Sequence, residues 1–125
     1  MSIAIRAHHM SFPVRDLARS RAFYEELFAV EELPRPDMGF PGVWYRVGTG
    51  EIHLLEIPEG VETAPPPATL NPLDRHAAFS IPNYQEALAE LEGRGIEVLA
   101  TSVENGQMWL LDPDGHILEL ICPPA

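Results

Sequence analysis

His9, His76 and Glu119 are polar residues set inside strand-like apolar runs, and the two histidine runs look like copies of one another, HMSFPVRD from His9 and HAAFSIPN from His76. In each copy the histidine stands seven positions ahead of a helix-capping residue, Asp16 or Asn83. Imidazole nitrogens and a carboxylate are ligands that a divalent cation gathers readily. Buried without partners they would be costly to desolvate, whereas one cation satisfies them together. A duplicated half that keeps a histidine at one strand position, and closes on a strand carrying a carboxylate, therefore points to a metal site.

Strand parity says which side chains can meet, because alternate residues face opposite sides of a sheet. If Met10, Phe12 and Val14 pack inward against a helix, His9 faces the other side, and Ala77, Phe79 and Ile81 send His76 the same way. In HILELIC, Leu118, Leu120 and Cys122 take the helix side and leave Glu119 with Ile121 in the cavity. Matching EIHLLEI to that run, with Ile52 and Leu54 packed, places His53 at the position of Glu119. His53 is then either a fourth metal ligand or the catalytic group that moves a proton. Glu56 falls on the opposite face unless a bulge shifts the register by one. Trp44 and Arg46 share the cavity face if Val43, Tyr45 and Val47 pack inward, and both are candidate substrate-binding residues; Arg46 could hold a carboxylate or form a surface ion pair. By the same parity His8 lies on the opposite face, where exposure or helix-side packing is expected rather than ligation. His116, just after the DPDG turn, belongs to a hairpin.

The elements that must position these groups come in two similar series. A half-buried strand ending at Val14 precedes a helix from the Asp16 cap to about Phe28, whose Leu17, Phe23, Tyr24, Leu27 and Phe28 recur near helical spacing. VWYRV and EIHLLEI flank Gly-Thr-Gly as a hairpin. The proline-rich stretch 58–75 reads as a stiff linker. Beyond it a strand from His76 to Ile81 leads to a helix capped by Asn83, with Glu86 three residues on, running to about Arg94 and stopped by Gly95. IEVLATSV is the next expected strand, and MWLLDPDGHILELIC a hairpin turning on DPDG. The expectation is a single α+β domain over 1–125, with β-α-β-β-β modules at 1–57 and 76–125 that form curved mixed sheets around a concave site.

With 125 residues the chain can bury a core without staples. Its net charge of −11, from 8 Lys and Arg against 19 Asp and Glu, argues against a nucleic-acid partner, because no basic stripe exists to displace counterions. A single cysteine excludes an internal disulfide, and Cys122 reads as a small core or edge residue. No apolar run approaches the roughly 18 residues of a membrane span, so no membrane partner and a cytoplasmic location are expected. A small-molecule substrate remains as the partner. A homodimer is also expected, since open sheet edges invite a second copy.

HHMSFPVRDLARSRAFYEELF resembles the opening strand-helix signature of the vicinal oxygen chelate superfamily, and LLDPDGHILELICPP its closing hairpin. This group includes glyoxalase I, extradiol dioxygenases, methylmalonyl-CoA epimerase, fosfomycin-resistance enzymes and bleomycin-resistance proteins. The resemblance implies that His9, His76 and Glu119 ligate a divalent metal (Zn, Ni, Fe, Mn or Co), which binds two neighbouring substrate oxygens. In the lyase and epimerase branches the strand containing His53 supplies a further ligand, usually Glu or Gln, so a histidine departs from that pattern. The resemblance implies glyoxalase-like lyase or isomerase chemistry, with an extradiol dioxygenase or a non-catalytic, drug-binding protein of the bleomycin-resistance kind as alternatives. Fosfomycin-type thiol transfer is disfavoured, because few basic groups stand ready for a phosphonate and the chain ends soon after Glu119. The resemblance also allows the modules that share a site to come from one chain or from two.

Overall fold

The computed structural model describes residues 1–124, which form two units, Met1–Ala64 and a second beginning at Pro65. In the first, strand β1 (His9–Val14) leads to helix α1 (Leu17–Leu27) and then to β2 (Glu31–Leu33), β3 (Gly42–Val47) and β4 (Gly50–Glu56). The second repeats this order with β5 (His76–Ser80), α2 (Tyr84–Gly93), β6 (Leu99–Ala100), β7 (Gln107–Leu111) and β8 (Ile117–Ile121). Each unit is the expected β-α-β-β-β module. Its sheet is mixed, ordered β1-β4-β3-β2 in one unit and β5-β8-β7-β6 in the other. The first strand of each runs parallel to the last, and the remaining pairs are antiparallel.

Both helices begin at the expected caps. The Asp16 carboxylate accepts the Arg19 N–H at 3.1 Å, and the Asn83 side chain accepts the Glu86 N–H at 3.0 Å, satisfying donors that the first turn leaves without partners. At α1 a second acceptor arrives from the sheet: Glu56 Oε1 takes the Leu17 N–H at 3.2 Å. The β1–β4 register runs unbroken from His9↔Glu51 to Val14↔Glu56, so no bulge turns Glu56 toward the opposite face.

Phe12, Val14, Tyr24, Val43, Tyr45, Ile52 and Leu54 form the buried core of the first unit. Each such side chain contributes about 1.5–3 kcal/mol when fully removed from water. Tyr45 is fully buried, and its hydroxyl donates to Glu25 Oε2 at 2.5 Å, while Arg21 bridges Glu25 and Glu32; together these bonds tie α1 to β2 and β3. In the second unit Ala77, Tyr84, Leu91, Met108, Leu110, Leu118 and Leu120 are buried.

Two details differ from expectation. Met10 does not join Phe12 and Val14 in the core: it lies toward the open start of β1 and is 42% exposed, whereas Phe12 stacks against Tyr24 of the helix. The run IEVLATSV supplies only the two-residue β6, because the Thr101 N–H and hydroxyl both turn to the Gln107 carbonyl and the chain reverses through Gly106 at φ +70°. The later part of the proline-rich stretch is bound to the second unit, with the Ala68 N–H donating to the Gly115 carbonyl at 2.9 Å. Among the described residues no helix is long and apolar enough to cross a membrane.

Candidate metal and substrate site

The two modules place their candidate groups at matching register positions. Ser11 pairs with His53 across β1 and β4, and Ala78 pairs with Glu119 across β5 and β8, so His53 and Glu119 are structural counterparts, each two positions beyond the partner of its module's opening histidine. On the antiparallel side Trp44 lies opposite His53 and Trp109 opposite Glu119. The repeat thus sets a histidine, a tryptophan and either an imidazole or a carboxylate on one face of each sheet.

In the second unit His76 Nε2 lies 2.9 Å from Glu119 Oε1, and His76 Nδ1 lies 2.8 Å from the Asp74 carbonyl oxygen. A carbonyl only accepts, so Nδ1 carries the hydrogen there. The Nε2 lone pair of the neutral ring then faces a carboxylate oxygen, an arrangement relieved either by a shared proton or by a cation that takes both lone pairs. Two donors on one zinc-like cation, each about 2.0–2.1 Å from it at angles of roughly 90–110°, stand about 2.9–3.4 Å apart. The backbone carbonyl behind Nδ1 is the usual orienting partner of a ligating histidine. Glu119 is itself held in place: Trp109 Nε1 donates to Oε1 at 3.1 Å and Gln107 Nε2 to Oε2 at 3.2 Å. The pair fits a divalent metal in both donor chemistry and spacing.

In the first unit His53 is buried between two rings. His9 stacks on one side with centroids 4.0 Å apart, and Trp44 on the other at 4.4 Å. His53 Nε2 lies 2.9 Å from Glu51 Oε1. That bond holds the Glu51 carboxyl below its usual range, so the ionised carboxylate accepts and Nε2 donates. Nδ1 is then the basic nitrogen of the neutral ring. His9 is exposed as a residue, but the rings packed against it desolvate its imidazole; this desolvation, and then the neighbouring His53 and His8, lower its pKa and favour the neutral form that a metal needs.

His8 is exposed, as one of the expected outcomes had it, but it lines the same cavity as His9, against the parity argument. Strand β1 starts only at His9, so alternation does not govern His8, and its Nδ1 lies 2.9 Å from His9 Nδ1. Both histidines line a cavity of about 690 Å³ within this unit, whose walls also include Met38, Phe40, Trp44 and His53. Trp44 and Arg46 share this face, while Val43 and Tyr45 are buried behind it. The Arg46 guanidinium pairs with Glu31 at 3.5 Å and is more than half exposed. His116 serves the hairpin: its N–H and that of Asp114 both donate to Asp112 Oδ1 at 2.9 Å. Among the described residues no three His, Cys, Asp or Glu side chains gather closely enough to hold a metal; the four candidates stand as two pairs, His9 with His53 and His76 with Glu119.

Sequence reasoning overlooked Glu51, Gln107 and Trp109. Glu51 lies two positions from His53, Trp109 is the cross-strand partner of Glu119 and Gln107 lies two positions from Trp109, so extending parity one step from His53 and Glu119 would have found them.

A family model described as the Glyoxalase/Bleomycin resistance protein/Dioxygenase superfamily matches residues 6–120. Glyoxylase I 4 of Arabidopsis thaliana is 32% identical over 120 residues, covering 90% of this chain and 68% of that protein. Among solved structures, a protein from Bacillus anthracis described as of the glyoxalase family superposes with a TM-score of 0.79 at 25% identity, covering 99% of this chain and 100% of that one. The fosfomycin resistance protein FosX from Mesorhizobium loti shares the fold, with a TM-score of 0.72 at 18% identity over 98% of this chain and 94% of its own.

Proposed function

Because the chain belongs to the Glyoxalase/Bleomycin resistance protein/Dioxygenase superfamily, we propose that it is a metal-dependent enzyme of the glyoxalase-like lyase or isomerase type, acting on a small molecule with two neighbouring oxygens. The observation that carries this reading is the His76–Glu119 pair, whose Nε2 and Oε1, two metal-ligating atom types, lie 2.9 Å apart, a spacing that suits two donors on one divalent cation. His9, His76 and Glu119 are the proposed ligands, contributed by the two modules of one chain or of a homodimer. Zn, Ni, Fe, Mn or Co each suits such a set. When bound, the metal would act as a Lewis acid, offsetting the negative charge that develops as a proton leaves carbon.

The protein's own groups would move that proton. His53 has its Nε2–H committed to Glu51 and its ring clamped between His9 and Trp44, which leaves Nδ1 as the acceptor. A carboxylate behind an imidazole fixes the tautomer and supports the cationic ring once the proton has arrived. His53 is therefore proposed as the general base rather than a fourth ligand, with Glu51 as its positioning residue. Trp44 would form the substrate-facing wall, and Arg46 the rim.

The test is metal content together with turnover. Protein purified without chelator should carry stoichiometric metal and lose it on His76→Ala. With added metals, His53→Gln should keep the metal but lose hemithioacetal isomerisation. Absence of stoichiometric metal would sink the enzyme reading and favour a non-catalytic binding protein, which the apolar Leu33, Phe40 and Leu55 of the cavity wall would also suit. Oxygen uptake with catechols would instead point to an extradiol dioxygenase.

A further inference from the structure

The segment between β2 and β3 lays Arg35 across the start of β3. Its guanidinium carbon lies 2.8 Å, and its Nε 2.9 Å, from where a side chain at Gly42 would begin, so only a glycine leaves room for it. The group packs beside the Phe40 ring at 5.0 Å and donates from Nη1 to the Phe40 carbonyl at 3.1 Å. Arg35 Nε and Nη2 are nevertheless buried without a hydrogen-bond partner, and so is Trp44 Nε1. These are three donors of one kind, carried by neighbouring side chains. Gly42 and Trp44 are two positions apart on β3, a separation of roughly 7 Å.

The second module shows what such donors do. Gly42 pairs with Leu55 as Gln107 pairs with Ile121, and Trp44 pairs with His53 as Trp109 pairs with Glu119. There Gln107 and Trp109 both donate to the Glu119 carboxylate. In the first module Arg35 fills the space left by Gly42, Trp44 matches Trp109, and the carboxylate position is taken by His53, whose Nε2 is spent on Glu51. The donors of a carboxylate cradle are thus repeated without the carboxylate.

We infer that Arg35 and Trp44 form an anion-recognition end of the first module's cavity, and that the ligand is a small carboxylate with an apolar body. Pro34 and Phe40, on either side of Arg35 in sequence, line that cavity, and its Leu33, Met38 and Leu55 suit an apolar body. The guanidinium offers a fork that fits a carboxylate. Arg35 is not itself part of the cavity wall, so the loop that carries it must shift for a ligand oxygen to reach these buried nitrogens. Arg46, paired with Glu31 at the rim, is not the principal anion holder. The inference rests on this cavity being the substrate site, but not on the metal.

The experiment titrates chelator-treated protein with 3-phenylpropanoate and with the matched neutral 3-phenylpropanamide, by calorimetry. The wild type should bind the carboxylate at least tenfold more tightly than the amide. Arg35→Gln should abolish that preference, Arg35→Lys should restore only part of it, and Trp44→Phe, which keeps a ring but loses the N–H, should weaken the carboxylate more than the amide. A thermal melt of Arg35→Gln should show a midpoint at or above wild type, because it removes buried unpaired donors; if that variant does not fold, Trp44→Phe carries the test. Equal affinities for the two probes, no binding of either, or an unchanged preference in the variants would overturn the proposal. His76→Ala separates the two readings: it should leave the carboxylate preference intact even as metal is lost.

Discussion

Trp109 donates its indole N–H to Glu119 at 3.1 Å, while Trp44, its counterpart in the other module, stacks on His53 and leaves the same N–H without a partner. The two modules share one backbone plan, and one change of side chain, carboxylate to imidazole, alters what the tryptophan does. In the second module the indole fixes a carboxylate oxygen, and in the first it forms a wall.

Trp109→Phe should therefore weaken the proposed metal site without dissolving the fold. The phenyl ring retains most of the packing, but Glu119 Oε1 loses an orienting donor. Losses of such supporting bonds typically lower metal affinity or activity about 10–100-fold. Competition with a chromophoric chelator measures this directly, and an unchanged affinity would mean that Gln107 alone holds the carboxylate.

Glu51→Gln tests the role assigned to His53. The amide still occupies the space but cannot act as an ionised acceptor, so the proposed base loses its positioning charge. Turnover should fall by about 10²-fold or more, within the range for general-base catalysis, while metal content stays at the wild-type level. Loss of metal together with activity would identify His53 as a ligand instead.

Tyr45→Phe should destabilise the first module by about 1–2 kcal/mol, since the buried hydroxyl donates to a charged carboxylate that is partly solvated. The same bond, and after it Arg21, holds Glu25 below its ordinary pKa. A depressed carboxylate contributes stability that is fully present above its unfolded pKa and is lost as pH falls through the lower folded value. Burial, and after it the hydrogen bond to Glu25, push the Tyr45 phenol well above its ordinary range, so it stays a donor throughout. Wild-type and variant melting temperatures should converge on acidification below the usual carboxylate range, and a constant gap would assign the effect to packing.

Gly42→Ala should cost about 1–3 kcal/mol, the usual penalty of overpacking. The added methyl would lie 2.7 Å from the Leu54 carbonyl oxygen as well as against the Arg35 guanidinium. The guanidinium can swing away, but the strand carbonyl cannot. Chemical denaturation reads the loss, and a wild-type midpoint would show that β3 relaxes without strain.

Much of this arrangement is legible in the chain because periodicity and capping are local. Asp16 and Asn83 announce their helices through a side chain that reaches a nearby N–H, and Ile52 and Leu54 set the face of His53 by alternation alone. Where the local rule stops, so does the prediction. His8 precedes the strand, so parity misplaced it, and β6 shrank because Thr101 bonds to Gln107 across a turn whose register no pattern records.

The sequence by itself determined the duplicated β-α-β-β-β plan, the equivalence of His53 with Glu119 and the buried face of the central strands β3, β4 and β8, since all three follow from spacing along one chain. Only the tertiary structure decided which atoms meet: the Glu51 carboxylate on His53 Nε2, the Asp74 carbonyl behind His76, and Arg35 laid over Gly42. Those contacts depend on rotamers and on a loop with no periodicity. Alternation specifies the side of a sheet toward which a residue points, but leaves open what it touches there.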